Sequence, residues 1–137
     1  MDLKQFARDW FANIDEKNWD GIDKMIAPDH KFRNSMSPAP LGKEEHLGMM
    51  KAMTAGFTGA HELNMIFTDG EHVGISGRWK GKHTGEFNGV PATGNDVNFT
   101  FVDMMHVVNG RVVNEHMELN PMTFMQQIGA MPAMAAH

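Results

Sequence analysis

The spacing of apolar residues changes period once along this chain, near residue 60, and that change limits what the chain can become. Before it, Leu3, Phe6, Ala7, Trp10, Phe11 and Ile14 recur at intervals of three and four, with Lys4, Arg8, Asp9 and Asp15 on the other side. The spacing predicts an amphipathic helix over 3–17. Asn18 is placed to cap a second, short helix carrying Trp19, Ile22, Met25 and Ile26, with Pro28 as its stop. His30 to Arg33 reads as a short strand. Asn34 to Gly42 holds too many turn formers for a helix, and Lys43 to Phe57 resumes helical spacing through Leu47, Met50, Met53 and Phe57.

After the change, Leu63, Met65 and Phe67 alternate, Asp69-Gly70 turns, and Val73, Ile75, Gly77 and Trp79 alternate again. Gly81 to Asn95 is glycine-rich and joins this hairpin to a strand over 97–108. Asn109-Gly110 then turns the chain into Arg111 to Leu119. Pro121 opens a last short helix, Met122 to Ile128, and Gly129 stops it. Helices followed by a run of antiparallel strands define an α+β order, in which three N-terminal helices must cover one face of a curved sheet. With 137 residues and no internal repeat, one domain over 1–137 is expected, with a frayed tail from about 131 to 137.

Composition narrows the partners. A net charge of −5 with no basic block argues against nucleic acid. No apolar run approaches the ~18 residues of a membrane span, and the start lacks the basic flank of a signal peptide. There is no cysteine, which removes disulfides, thiol nucleophiles and iron–sulfur clusters. A soluble, cytoplasmic protein is expected. Fourteen methionines stand either as core filler or as the lining of an adaptable apolar pocket.

Helices closing over the concave face of a bent sheet would leave a largely apolar hollow. In the last strand His116, Glu118 and Asn120 share one face, while Val113, Met117 and Leu119 take the other. The polar row either faces solvent or supplies chemistry: an enclosed imidazole beside a carboxylate is a usable acid or base. Hairpin register decides its company. A two-residue Asn109-Gly110 turn pairs Val108 with Arg111 and puts Phe99, Phe101 and Asp103 on the His116 face, whereas a three-residue loop with a glycine bulge shifts parity and puts Met104 and His106 there instead. His116-x-Glu118 lacks a third ligand, so no metal is expected. The glycines of 81–94 lack the setting of a phosphate loop, and His30, His46, His61, His72 and His83, scattered singly, read as surface or satisfied residues.

The run Arg78 to Gly94, with its G-x-H-T-G-x-F-x-G-V-P-x-T-G pattern, followed by Val107 to Val113 and by Gln127-Ile128-Gly129, resembles the SnoaL-like polyketide cyclase family. The resemblance implies an NTF2-like cone, dimeric or higher through the outer face of its sheet. It also implies ring closure on a polyketide ester by intramolecular aldol chemistry, without metal or organic cofactor. The position of the family's catalytic Asp is Asn120 here, its pocket His matches His106 and thereby favours the bulged register, and a frequent Trp is replaced by His116.

The resulting expectation is a cofactor-free cyclase-type protein binding a moderately apolar or polyketide-like molecule, with proton transfer serving aldol closure or a related isomerase or lyase step. Glu118 or His116 would move the proton, Asn120 and His106 would hold a substrate oxygen, and Trp10, Met36, Trp79, Phe101 and Met104 would shape the pocket. Two alternatives stay open: a non-catalytic binding or carrier protein without the acid, and an oligomerisation module whose cavity is filled by side chains.

Overall fold

The computed structural model describes residues 1–131; the expected frayed tail, beyond Met131 itself, lies outside them. Helix α1 (Leu3–Asp15) starts where Asp2 accepts a hydrogen bond from the Gln5 amide at 3.0 Å, and α2 (Trp19–Met25) where Asn18 accepts from the Gly21 amide at 3.0 Å. Strand β1 (Ile26–Arg33) follows at once, then α3 (Lys43–Gly56), β2 (Phe57–Asp69), β3 (His72–His83), β4 (Asp96–Val108), β5 (Arg111–Leu119) and α4 (Pro121–Gln127). Pro28 does not stop a helix. It lies in β1, an edge strand, where a missing N–H costs little and the pairing already shifts between Ile26 and Lys31.

The five strands form one sheet in the order β1-β5-β4-β3-β2. Only β1 against β5 is parallel; the rest are the antiparallel pairs expected from the alternation. Trp10, Phe11, Ile22, Ile26, Ile75, Met105 and Val112 are all at most 2% exposed and join α1, α2 and the sheet in one core. At the other end of the sheet, Gly59 pairs with Gly81 across β2 and β3. A Cβ on Gly59 would meet the Lys80 carbonyl at 2.2 Å, and one on Gly81 the Thr58 carbonyl at 2.3 Å. Only glycine permits so close an approach, and the Trp79 indole lies across both.

The glycine-rich run after β3 is structural. Asn88 and Gly89 take positive φ, +47° and +80°, in a tight turn closed by Phe87–Val90 pairing. Phe87 thereby returns to Phe57 and Phe124, each with ring centroids 5.2 Å away. His83, fully buried, receives the Thr93 amide on Nδ1 at 3.3 Å. Gln127 docks α4: its Oε1 accepts from the Asn98 amide at 2.8 Å and its Nε2 donates to the Asn98 carbonyl at 2.8 Å. Gln127→Ala removes both bonds and is expected to lower unfolding stability by about 1–2 kcal/mol in denaturant titration; an unchanged midpoint would assign the docking to Phe124 and Ile128 packing alone.

Candidate active site

The faces of β4 and β5 are set by one extra residue. Asn109 and Gly110, at φ +52° and +75°, make a two-residue turn that pairs Val108 with Arg111 and Val107 with Val112. Val112 points inward, so regular alternation would carry Asn114, His116 and Glu118 inward after it. Instead His106 pairs with Asn114, which leaves Val113 as a bulge and transfers the inward positions to Glu115, Met117 and Leu119. The bulge thus lies in the strand, outside the turn, and it aligns Met104 and His106 with His116 on the outer face.

The expected polar row is therefore outside the cavity. The His116 Nε2 and Glu118 Oε1 atoms lie 3.0 Å apart, with side chains 53% and 39% exposed. The Ser35 hydroxyl and then His116 hold the Glu118 carboxyl below its usual range, so it carries no proton to donate near neutrality. Asn120 caps α4 by accepting the Met122 amide at 3.0 Å, His106 meets Glu71 at 3.2 Å, and Met104 is 58% exposed. Of the expected pocket residues, Trp10, Met36, Trp79 and Phe101 do line the hollow.

That hollow, about 110 Å³, lies between the inner sheet face, α1, α3 and α4. Its lining includes Phe124 of α4 but no residue of α2, which braces α1 instead. Methionines 36, 49, 50, 53 and 117 share the wall with aromatic rings, so part of the methionine set is indeed pocket lining. Set into this apolar surface are His46, His61 and Glu115, with Asn34 and Ser35 near the rim, where Met36 is 43% exposed.

Glu115 and Asp103 are 2% and 1% exposed and sit diagonally on the inner face of adjacent strands. No side-chain donor other than the partner carboxyl reaches Asp103 or the Glu115 Oε1, and the two carboxyl groups hydrogen-bond to each other. Two carboxylates cannot both stay charged in such a place. Burial, and then the neighbouring Asp103 charge, push the Glu115 pKa well above the ordinary carboxylate range; burial raises that of Asp103 from 3.8 to about 6. Glu115 is the protonated member of the pair.

His30 and His46, 1% and 3% exposed, form a chain whose polarity is forced. The Val112 carbonyl can only accept, so the His30 Nδ1 at 3.0 Å donates to it. The His30 Nε2 of a neutral ring then accepts, and the His46 Nδ1, 2.9 Å away, donates. That leaves the His46 Nε2 lone pair 3.6 Å from the Glu115 Oε1, beyond hydrogen-bond reach, while the hydrogen bond of the Glu115 carboxyl is with Asp103. Burial depresses both imidazoles, His46 to about 3.

His30, His46 and Glu115 also cluster tightly enough to be considered as metal ligands. The rings argue otherwise. They are within 6° of parallel with centroids 5.1 Å apart, which is the 2.9 Å nitrogen separation plus one ring radius at each end, so the two nitrogens aim directly at each other. An ion cannot occupy the line of a hydrogen bond. At the other end of the polar set, the His61 Nδ1 donates to the Asp15 Oδ1 at 2.6 Å, and the His61 amide donates to the Asp15 Oδ2 at 3.0 Å.

These residues were legible only by face. His46 shares the stripe of Met49, Met50 and Met53; His30 alternates with Phe32; Glu115 has the parity of Met117 and Leu119, and Asp103 that of Phe101 and Met105. His30 and His46 are isolated in the sequence, and only the packing of α3 on β1 makes them a pair.

An α+β cone closed over an apolar cavity that holds titratable side chains is the frame that the sequence resemblance implies. The family model described as SnoaL-like polyketide cyclase matches residues 3–128, and the chain belongs to that family. Its fold is similar to AclR from Streptomyces galilaeus, at 22% identity and TM-score 0.85 over 94% of this chain and 96% of that one. It is also similar to IdmH from Streptomyces antibioticus, at 23% identity and TM-score 0.82 over 94% and 99%. The first carries a provisional assignment as a hydroxylase and the second as a polyketide cyclase, so the shared fold does not choose a reaction. No curated protein matched the sequence.

The pKa directions give a signed prediction. Folded Asp103 holds its proton to about pH 6, while the unfolded residue releases it near 3.8. The folded state thus binds more protons over that interval, and this residue's contribution to stability falls as pH rises through it. His46, neutral when folded down to about 3, acts oppositely and costs stability as pH falls from 6.5. The melting temperature of Asp103→Asn minus that of the parent is expected to grow between pH 4 and 7. A flat or shrinking difference would mean that Asp103 is not a desolvated acid.

Proposed function

We propose that the protein is a cofactor-free acid–base catalyst acting on a small, mainly apolar carbonyl compound, with Glu115 as the proton donor to the carbonyl oxygen. The observation that carries this reading is a pair of buried, adjacent carboxyl groups with no cation beside them, of which Glu115 lies on the wall of an apolar cavity next to the His46–His30 chain. A neutral acid stabilises an enolate oxygen by giving it a proton, and a dry surround strengthens that interaction. Enolisation is the step shared by aldol cyclisation, isomerisation and lyase chemistry, so the family's ring closure fits without being required.

The volume of the cavity bounds the ligand. An apolar hollow of about 150 Å³ accommodates a benzene-sized molecule, so about 110 Å³ suits a short chain, and an aromatic ring enters only as the wall gives way. A polyketide-like molecule of several rings would have to displace Met36, Met49 and Met53, whose unbranched side chains make that wall the deformable one.

The test is exchange of α-hydrogens for deuterium in small aryl ketones, followed by proton NMR. The parent protein is expected to accelerate exchange, and Glu115→Gln to lose about 100-fold or more. A protein that binds such ketones, seen through Trp10 and Trp79 fluorescence, without exchanging them would favour the carrier reading.

The outer sheet face supports assembly with a second copy. Met65, Ser76, Val102 and Glu118 form one cross-strand row, and Phe67, Gly74, Met104 and His116 the next. Met65, Phe67, Val102 and Met104 are 53–59% exposed, a contiguous apolar patch of the kind that marks interfaces, with His116 and Glu118 at its rim. Met104→Glu is expected to convert a dimer to a monomer in sedimentation experiments; an unchanged mass would remove this face from the interface.

A further inference from the structure

We propose that His61, oriented by Asp15, binds the acidic hydroxyl group of a short enol, the enol form of a 1,3-dicarbonyl compound, at the end of the cavity away from Glu115. In the sheet His61 pairs with Trp79 and Trp79 with Phe99, six residues along β4 from the Met105 that pairs with Glu115. A ligand held at His61 therefore needs nothing from Glu115, and the site stands whether or not Glu115 is a proton donor.

The geometry leaves one nitrogen of the ring free. Asp15 accepts from the His61 Nδ1 at 2.6 Å and from the His61 amide at 3.0 Å, so one carboxylate fixes both the position of the neutral ring and its tautomer. The lone pair is then on Nε2, which has no hydrogen-bond partner among the described residues. Sealed side-chain atoms without a partner occur at His83, Asp103 and Glu115 and not at His61, so its Nε2 is open to an incoming group. The ring lines the cavity between Phe11, with centroids 4.8 Å apart, and Phe101, at 5.4 Å and edge-on to it. An acceptor set in an apolar wall selects a ligand that brings a donor.

Helix energetics do not account for Asp15. It is the last residue of α1, where a negative charge meets the negative end of the helix dipole. Stability alone would favour a basic residue or an amide there. What a carboxylate adds over an amide is charge, which steadies the imidazolium formed when Nε2 takes a proton. The His61 and Asp15 side chains are 14% and 19% exposed, so little water competes for that interaction.

The class of ligand follows from the charges. An enol O–H donates to Nε2 and passes its proton there: the O–H bond breaks, its electron pair stays on the enol oxygen, and an N–H bond forms. Neutral imidazole and neutral enol become imidazolium and enolate, and the net charge of the site, that of Asp15, is unchanged. The imidazolium then donates to Asp15 through Nδ1 and to the enolate through Nε2, in charge-assisted hydrogen bonds of about twice the strength of neutral ones. A carboxylate ligand arrives without a proton and meets a lone pair beside a second carboxylate. A simple ketone has no hydroxyl to offer. The volume of the hollow, about 110 Å³, suits a chain rather than a ring.

The experiment uses the full chain at about pH 7.5 with three ligands: pentane-2,4-dione, pentan-2-one as the same skeleton without an acidic enol, and pentanoate as an anion of similar length. Long-range proton–nitrogen NMR of histidine-labelled protein shows which ring nitrogen carries the proton. The His61 signals, identified by their loss in His61→Gln, are expected to place it on Nδ1 in the free protein, and the dione is expected to move Nε2 into the protonated range. The enolate absorption of the bound dione is expected to exceed that of the same dione in buffer. By calorimetry, pentan-2-one and pentanoate are each expected to bind at least about 10-fold more weakly than the dione. Asp15→Asn is expected to weaken the dione about 10-fold and to leave pentan-2-one within about twofold, which a purely structural role for Asp15 would not produce.

An Nε2 already protonated in the free protein, or unmoved by saturating dione, would overturn the site. So would pentan-2-one or pentanoate binding within about threefold of the dione, a comparison that the parent protein supplies even where His61→Gln fails to fold. Absence of α-exchange by the parent would remove Glu115 as donor without touching these outcomes, so the two readings fail separately.

Discussion

Two carboxyl groups buried side by side without a cation can persist in an apolar interior only by keeping at least one proton between them. Asp103 and Glu115 are such a pair, and the rest of the site is arranged around the consequence. A protonated Glu115 needs acceptors rather than donors. Asp103 supplies the one within reach, and the Val112 carbonyl, acting through His30 and then His46, leaves a lone pair rather than an N–H on that side. The imidazole chain costs no buried charge because burial keeps both rings neutral. Acid, acceptor and apolar wall form one electrostatic unit.

The scaffold supplies this unit through backbone devices. A bulge at Val113 re-aims half of β5, and paired glycines at 59 and 81 bring two strands close enough for Trp79 to lie across them. The tight turn at Asn88-Gly89 returns Phe87 to the rings around Phe57. The most distinctive stretch of the sequence, from Arg78 to Gly94, builds and closes the cone; its one buried histidine, His83, is tied to Thr93 rather than to the cavity. The family match and the candidate chemistry thus rest on different residues.

That separation explains what could be read in advance. Element types follow from the 3.6-to-2 change of period, and the positions of Trp10, Trp79 and Phe101 follow from the stripes they occupy. The row His116, Glu118 and Asn120 reaches the cavity only if the strand alternates regularly throughout. A single inserted residue inverts every later face, and Val113 has no side-chain feature that announces it. Glu115 became visible only once the pairing of His106 with Asn114 was known. The buried histidines needed a different step: β1 and α3 are far apart in sequence, and only their packing brings His30 to His46.

The most direct test of the account is the protonation state of Glu115 itself. Isotope-edited infrared spectra of glutamate-labelled protein at pH 7 should contain the C=O band of an undissociated carboxylic acid, and that band should vanish in Glu115→Gln. Spectra holding carboxylate bands alone at that pH would contradict it.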